Sequence, residues 1–100
     1  MTDPVPDPTQ RLVALSDRLR LLVRHLAGRA ITARVELDDV AQEVFLRVLA
    51  TPHERWRDLD EGALWGYVAQ AARNTVVDVA RALRAARRRG LDPGPARWPT

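Results

Sequence analysis

The sequence predicts an all-α fold, a compact helical bundle of three main helices, on three observations. Apolar residues recur at steps of three and four along three long stretches. No stretch alternates at period two with β-branched residues over a useful length. Six of the 7 prolines fall in the two ends, leaving Pro52 alone between the helical stretches. With 100 residues there is room for one small domain and not for two separate cores. A chain of this length buries roughly two-thirds of its unfolded surface, so the core is thin.

Residues 1–8, with Pro4, Pro6 and Pro8, form an expected disordered N-terminal arm. Residues 9–90 form the expected domain. Its first helix spans about Thr9 to Ala27, on Leu12, Leu15, Leu19, Leu22 and Leu26, with Thr9 as cap and Gly28 as stop. Arg29 to Val35 has room for a short extra turn. The second helix spans about Glu36 to Ala50. Leu37, Val40, Val44 and Val48 make its stripe, Ala41, Phe45 and Leu49 lie beside it, and Pro52 closes it. The third spans about Glu61 to Arg89, on Leu64, Val68, Ala72, Val76, Val79 and Leu83. Gly90 ends it, and Arg87, Arg88 and Arg89 complement the negative end of its dipole. Residues 91–100, with Pro93, Gly94, Pro95 and Pro99, form an expected linker or tail.

Several function classes drop out at this level. Without cysteine there is no disulfide framework and no thiolate metal site. No Gly-rich phosphate loop is present, and His25 and His53 stand without metal-ligand spacing, so neither an enzyme nor a cofactor is expected. Asp38 and Asp39 are helix neighbours whose side chains diverge, a poor cation site. The N-terminus is acidic and Pro-rich, the reverse of a signal peptide, and no apolar run approaches the ~20 residues of a membrane span. A soluble cytoplasmic protein is the expectation.

Charge is more informative than its net value of +3. All 16 basic residues are arginine, and none is lysine. A GC-rich genome is one ordinary cause. Each basic side chain is nonetheless a planar fork able to clamp phosphate or carboxylate. Between residues 73 and 90 six arginines face a single acid, Asp78. Arg73, Arg81, Arg84 and Arg88 can share one broad helical face, the electrostatic footprint of a polyanion site. A solvated, Arg-rich helix end is the ordinary alternative. A membrane surface is a lesser rival, because the core needs this helix's apolar face.

The second helix is opposite in sign. Glu36, Asp38 and Asp39 are accounted for as dipole complements. Asp39, Gln42 and Glu43 share a flank expected to be exposed, which suits a basic protein partner. Among the aromatics, Phe45 and Trp56 are expected to fill the core. Trp65 and Tyr67 straddle Gly66 at the start of the basic helix, where rings stack on bases while arginines hold phosphates.

These runs resemble a known family. Residues 36–48, ELDDVAQEVFLRV, resemble region 2.2 of sigma-70 family sigma factors. Residues 63–78, ALWGYVAQAARNTVVD, with the Arg-rich end that follows, look like regions 2.3 and 2.4, in the style of the extracytoplasmic-function (ECF) group. The first helix fits region 2.1. The resemblance covers about residues 9 to 89, and it rests on both motifs in order at this separation.

The resemblance implies a domain that binds core RNA polymerase and recognises and melts the promoter −10 element. Asp39, Gln42 and Glu43, with Arg47 one turn on, would dock on the β′ clamp helices. The loop before the third helix, about Asp60 to Leu64 and including Glu61, would capture a flipped base of the −10 non-template strand. Tyr67 stands where the family usually has Trp, and Trp65 where a polar residue is more usual. Arg73, Asn74, Asp78, Arg81 and Arg84 would face the −10 DNA, with the polymerase on the opposite surface. A complete factor of this group also carries a −35-binding domain after a linker, and the chain stops where that linker would start. The alternative is a sigma-like interaction module, bound by an anti-sigma factor without opening DNA. Exposure of Trp65 and Tyr67 beside the arginine face would favour strand opening, and burial of both the interaction module.

Overall fold

The computed structural model describes residues 8–90. Four α-helices follow in order: α1 (Pro8–Val13), α2 (Ser16–Thr32), α3 (Leu37–Ala50) and α4 (Glu61–Arg88). A short 3-10 turn, His53–Arg55, lies between α3 and α4. No strand occurs among the described residues. The all-α expectation holds, with α2, α3 and α4 as the three main helices, each packed on the other two. The expected arm and tail, Trp98 included, lie outside the described residues, apart from Pro8, which opens α1 instead of ending the arm. Thr9 therefore lies inside the first turn and not at its cap. A proline suits a first helical position, where its missing N–H has no partner to lose.

The periodic stripes form the core. Leu12, Leu19 and Val23 from the first stretch pack with Val40, Ala41, Val44 and Val48 of α3. Leu64, Val68, Ala72, Val76, Val79 and Leu83 of α4 complete the cluster. Burying each such side chain contributes roughly 1.5–3 kcal/mol. Phe45 is half-buried against this core. Trp56, directly after the 3-10 turn, is fully buried, as expected, with the His53 ring edge-on to it at 5.2 Å. Its Nε1 has no hydrogen-bond partner among the described residues. Thr75, buried among the α4 apolar residues, satisfies its hydroxyl on the Ala71 carbonyl at 2.7 Å.

Two backbone features depart from the expected first helix. It breaks at Ala14–Leu15, where Leu15 N–H donates to the Leu12 carbonyl and the Ser16 hydroxyl to that of Val13. No glycine or proline marks this break. Its consequence is that α1 turns across the start of α4. The second feature is Gly28. Its backbone (φ 64°, ψ −179°) leaves helical space, as a stop should, but a further helical turn resumes and runs to Thr32. That is the extra turn for which Arg29 to Val35 had room. Ile31 and Val35 use it to reach the core.

The termini of the other helices follow local chemistry. Glu36 is the extended residue before α3, without a side-chain cap bond. Asp60 caps α4, its Oδ1 accepting from Ala63 N–H at 2.7 Å. Gly90, with φ 71°, follows the last turn of α4 and ends it as expected.

Candidate nucleic-acid interface

Helix α4 turns about 100° per residue, so positions 73, 81, 84 and 88 fall opposite the stripe that enters the core. Arg73, Arg81, Arg84 and Arg88 are all exposed there, with Arg87 and Arg89 beside them. Among the described residues none of these six arginines makes an ion pair. Asp78, the one acid of the segment, is turned toward α3. There Arg47 Nη1 donates to its Oδ2 at 2.8 Å, while Arg47 Nε donates to Glu43 Oε1 at 3.2 Å. Burial pulls the Arg47 pKa down, but the hydrogen bonds to Asp78 and Glu43 outweigh it and leave the pKa above its ordinary value. The Asp78 charge is thus drawn away from the arginine face.

Tyr67 and Trp65 are both half-buried, and they occupy opposite flanks of α4 because two helical residues diverge by about 200°. They do not form one stacking platform. Tyr67 lines a groove of about 280 Å³ at the α3–α4 seam, with Arg47, Thr51, Gln70 and Asn74 around it. Gln70 Nε2 donates to Asn74 Oδ1 at 3.1 Å, which links the two exposed amides along the groove. Trp65 faces α2, and the Arg18 guanidinium lies 4.2 Å from its ring centroid. Such a stack is worth about 0.5–1 kcal/mol at an exposed site.

The loop before α4 is held from a distance. Arg11 of α1 donates through Nη1 to the Arg57 carbonyl at 2.7 Å and through Nη2 to the Leu59 carbonyl at 2.6 Å. Of the three loop residues read from the sequence, Asp60 is committed to the helix cap and Glu61 is exposed. Leu64 is a core residue, 2 % exposed, because it starts the buried stripe of α4.

On α3, Asp39 and Gln42 are exposed, as expected. Glu43 is not: its side chain is 12 % exposed and is paired with Arg47. Leu46 joins Asp39 and Gln42 on the outer face with 51 % exposure. Asp38 pairs with Arg20 of α2 at 3.1 Å. The two residue sets expected on opposite surfaces meet at the α3–α4 seam, through Arg47 and Asp78.

Sequence reasoning did not find Arg11 or Arg18. Neither carries a local signal, since each meets its partner more than forty positions away. His25 and His53 are exposed, and among the described residues no cluster of three or more possible metal ligands forms. No helix among them is long and apolar enough to cross a membrane. Compared with known proteins, the chain matches no family model, no curated protein and no solved structure.

Proposed function

We propose that this chain is a sigma-type transcription-initiation domain of the ECF style, which binds promoter DNA through α4 and core RNA polymerase through α3. The observation that carries the reading is the arginine face of α4, from which Asp78, the one acid of residues 73–90, is drawn off by Arg47. Arginine forks hold phosphates and fix register on the strand. The Tyr67 groove, with its hydrogen-bonded Gln70–Asn74 pair, adjoins that face and offers a ring and amide edges to an unpaired base. Extruding a base costs a few kcal/mol, offset by stacking of about 1–3 kcal/mol per base and by edge hydrogen bonds. The β′ clamp helices would meet Asp39 and Gln42, with Leu46 as an apolar contact between them.

The test is fluorescence anisotropy with one labelled −10-like oligonucleotide, presented as a single strand and as a duplex. The single strand is expected to bind more tightly, and Tyr67→Ala to weaken it about tenfold. Equal affinity for both forms, with no loss in Tyr67→Ala, overturns strand opening.

A second reading is the sigma-like interaction module held by an anti-sigma factor. Trp65 and Tyr67, both half-buried, favour neither reading over the other, whereas the exposed Leu46 favours this one. It predicts protein binding at α3 without any single-strand preference.

A further inference from the structure

The outer faces of α2 and α3 are opposite in charge and meet along one seam. Helix α2 carries four arginines, Arg18, Arg20, Arg24 and Arg29, against one acid, Asp17. Helix α3 carries three acids, Asp38, Asp39 and Glu43, against one arginine, Arg47. Arg20 bridges to Asp38 across the seam at 3.1 Å. The turn of α2 that holds Arg20, Leu21 and Arg24 therefore lies level with the turn of α3 that holds Asp38, Asp39 and Gln42. Each face also presents an uncovered leucine, Leu21 at 68 % exposure and Leu46 at 51 %. Arg24 and Asp39 are both exposed, and among the described residues neither makes an ion pair.

We propose that this surface takes a second copy of the chain, in a symmetric dimer that sets α2 of each copy over α3 of the other. A two-fold interface needs a patch that complements itself. A basic strip beside an acidic strip, with a leucine on each, is such a patch. With the two-fold axis along the seam, Arg24 of one copy comes opposite Asp39 of the other, twice per dimer. Leu21 comes against the turn from Gln42 to Leu46. The leucines supply apolar area, and the charges set orientation and register.

The charge pattern selects this occupant. A nucleic acid or an anionic membrane is repelled by the α3 half of the surface, and a uniformly basic partner by the α2 half. A second copy meets both halves with the opposite sign. Two short helical faces make a small contact, so a dissociation constant on the order of 10 µM is expected. The association is independent of the function proposed above. Its consequence rests on that reading: a copy seated on α3 covers Asp39 and Gln42, so dimerisation and polymerase docking exclude each other.

The experiment is sedimentation equilibrium of the full chain from about 1 to 500 µM, at roughly 50 and 500 mM salt. A monomer–dimer equilibrium is expected, about fivefold weaker at the higher salt. Leu21→Gln and Leu46→Gln should each weaken it about tenfold, with helicity by circular dichroism unchanged because both sites are exposed. Arg24→Glu and Asp39→Arg should each weaken it at least as much, since each sets like charges together at both contacts. An equimolar mixture of these two variants should restore the dimer, because the mixed pair again has opposite charges at both contacts. That rescue also shows that neither variant lost its fold. A monomer at every concentration, masses that grow past the dimer, or no rescue in the mixture overturns the proposal. A β′ clamp-helix fragment that binds the dimer without dissociating it overturns the mutual exclusion. A fragment that binds neither form counts against the polymerase reading and leaves the dimer standing.

Discussion

Arg47 on α3 donates through Nη1 to Asp78 Oδ2 on α4 at 2.8 Å. The same guanidinium holds Glu43 one turn back. One side chain thus ties the outer flank of α3 to the helix that carries the arginine face. Arg47 is a third exposed and Asp78 half exposed, so the pair is solvent-screened and worth about 0.5–1 kcal/mol. A double-mutant cycle with Arg47→Met and Asp78→Asn, read by urea denaturation, should give a coupling of that size which shrinks at high salt. A coupling of zero at low salt would mean that the contact contributes nothing. The raised Arg47 pKa keeps its cation intact through the whole working pH range, so no pH dependence is expected from the arginine side.

Glycine to alanine should have opposite signs at two positions. At Gly28 (φ 64°, ψ −179°) nothing blocks a Cβ, yet the backbone region is one that only glycine adopts cheaply. Gly28→Ala should destabilise by about 1–3 kcal/mol. Gly66 lies inside α4 with open space around its Cβ position. Gly66→Ala should stabilise by about 1 kcal/mol. Thermal denaturation of the two variants side by side checks both.

The arginine face makes a quantitative claim about salt. Arg81→Gln and Arg84→Gln together should weaken oligonucleotide binding and lower the slope of log affinity against log salt by roughly one unit per lost phosphate contact. Both residues are exposed and make no ion pair among the described residues, so the melting temperature should stay near wild type. An unchanged slope would remove these two residues from the interface.

The two acids of the α3 flank should separate. Asp39→Arg, at an exposed position, should leave the fold intact and weaken pull-down of a β′ clamp-helix fragment severalfold. Glu43→Arg carries a structural penalty of its own, because it places a second cation against Arg47 at a site 12 % exposed. It should lower stability by about 1–3 kcal/mol whether or not the partner binds there. Loss of pull-down in Glu43→Arg alone would therefore not identify the docking surface, whereas loss in Asp39→Arg would.

The sequence by itself determined the three main helices, and most of the core. The step of three and four along Leu64, Val68, Ala72, Val76, Val79 and Leu83 is a direct projection of helix geometry, and every one of these residues is buried. Gly28 and Gly90 were legible as helix punctuation because their positive φ is a local, backbone-level property. The exposed arginine face of α4 was legible for the same reason, since residues on one helix share a face by spacing alone. What only the tertiary structure decided are the contacts between helices. No local signal breaks the chain at Ala14–Leu15, and that break is what lets Arg11 reach the carbonyls of Arg57 and Leu59. Nothing in the spacing turns Trp65 under Arg18 and Tyr67 toward Arg47, or shields most of Glu43 while leaving Asp39 exposed. Helical periodicity sets which residues share a face of one helix. Which faces meet, and which charges neutralise each other, follows from packing across separations of thirty to fifty residues, where the sequence carries no period to read.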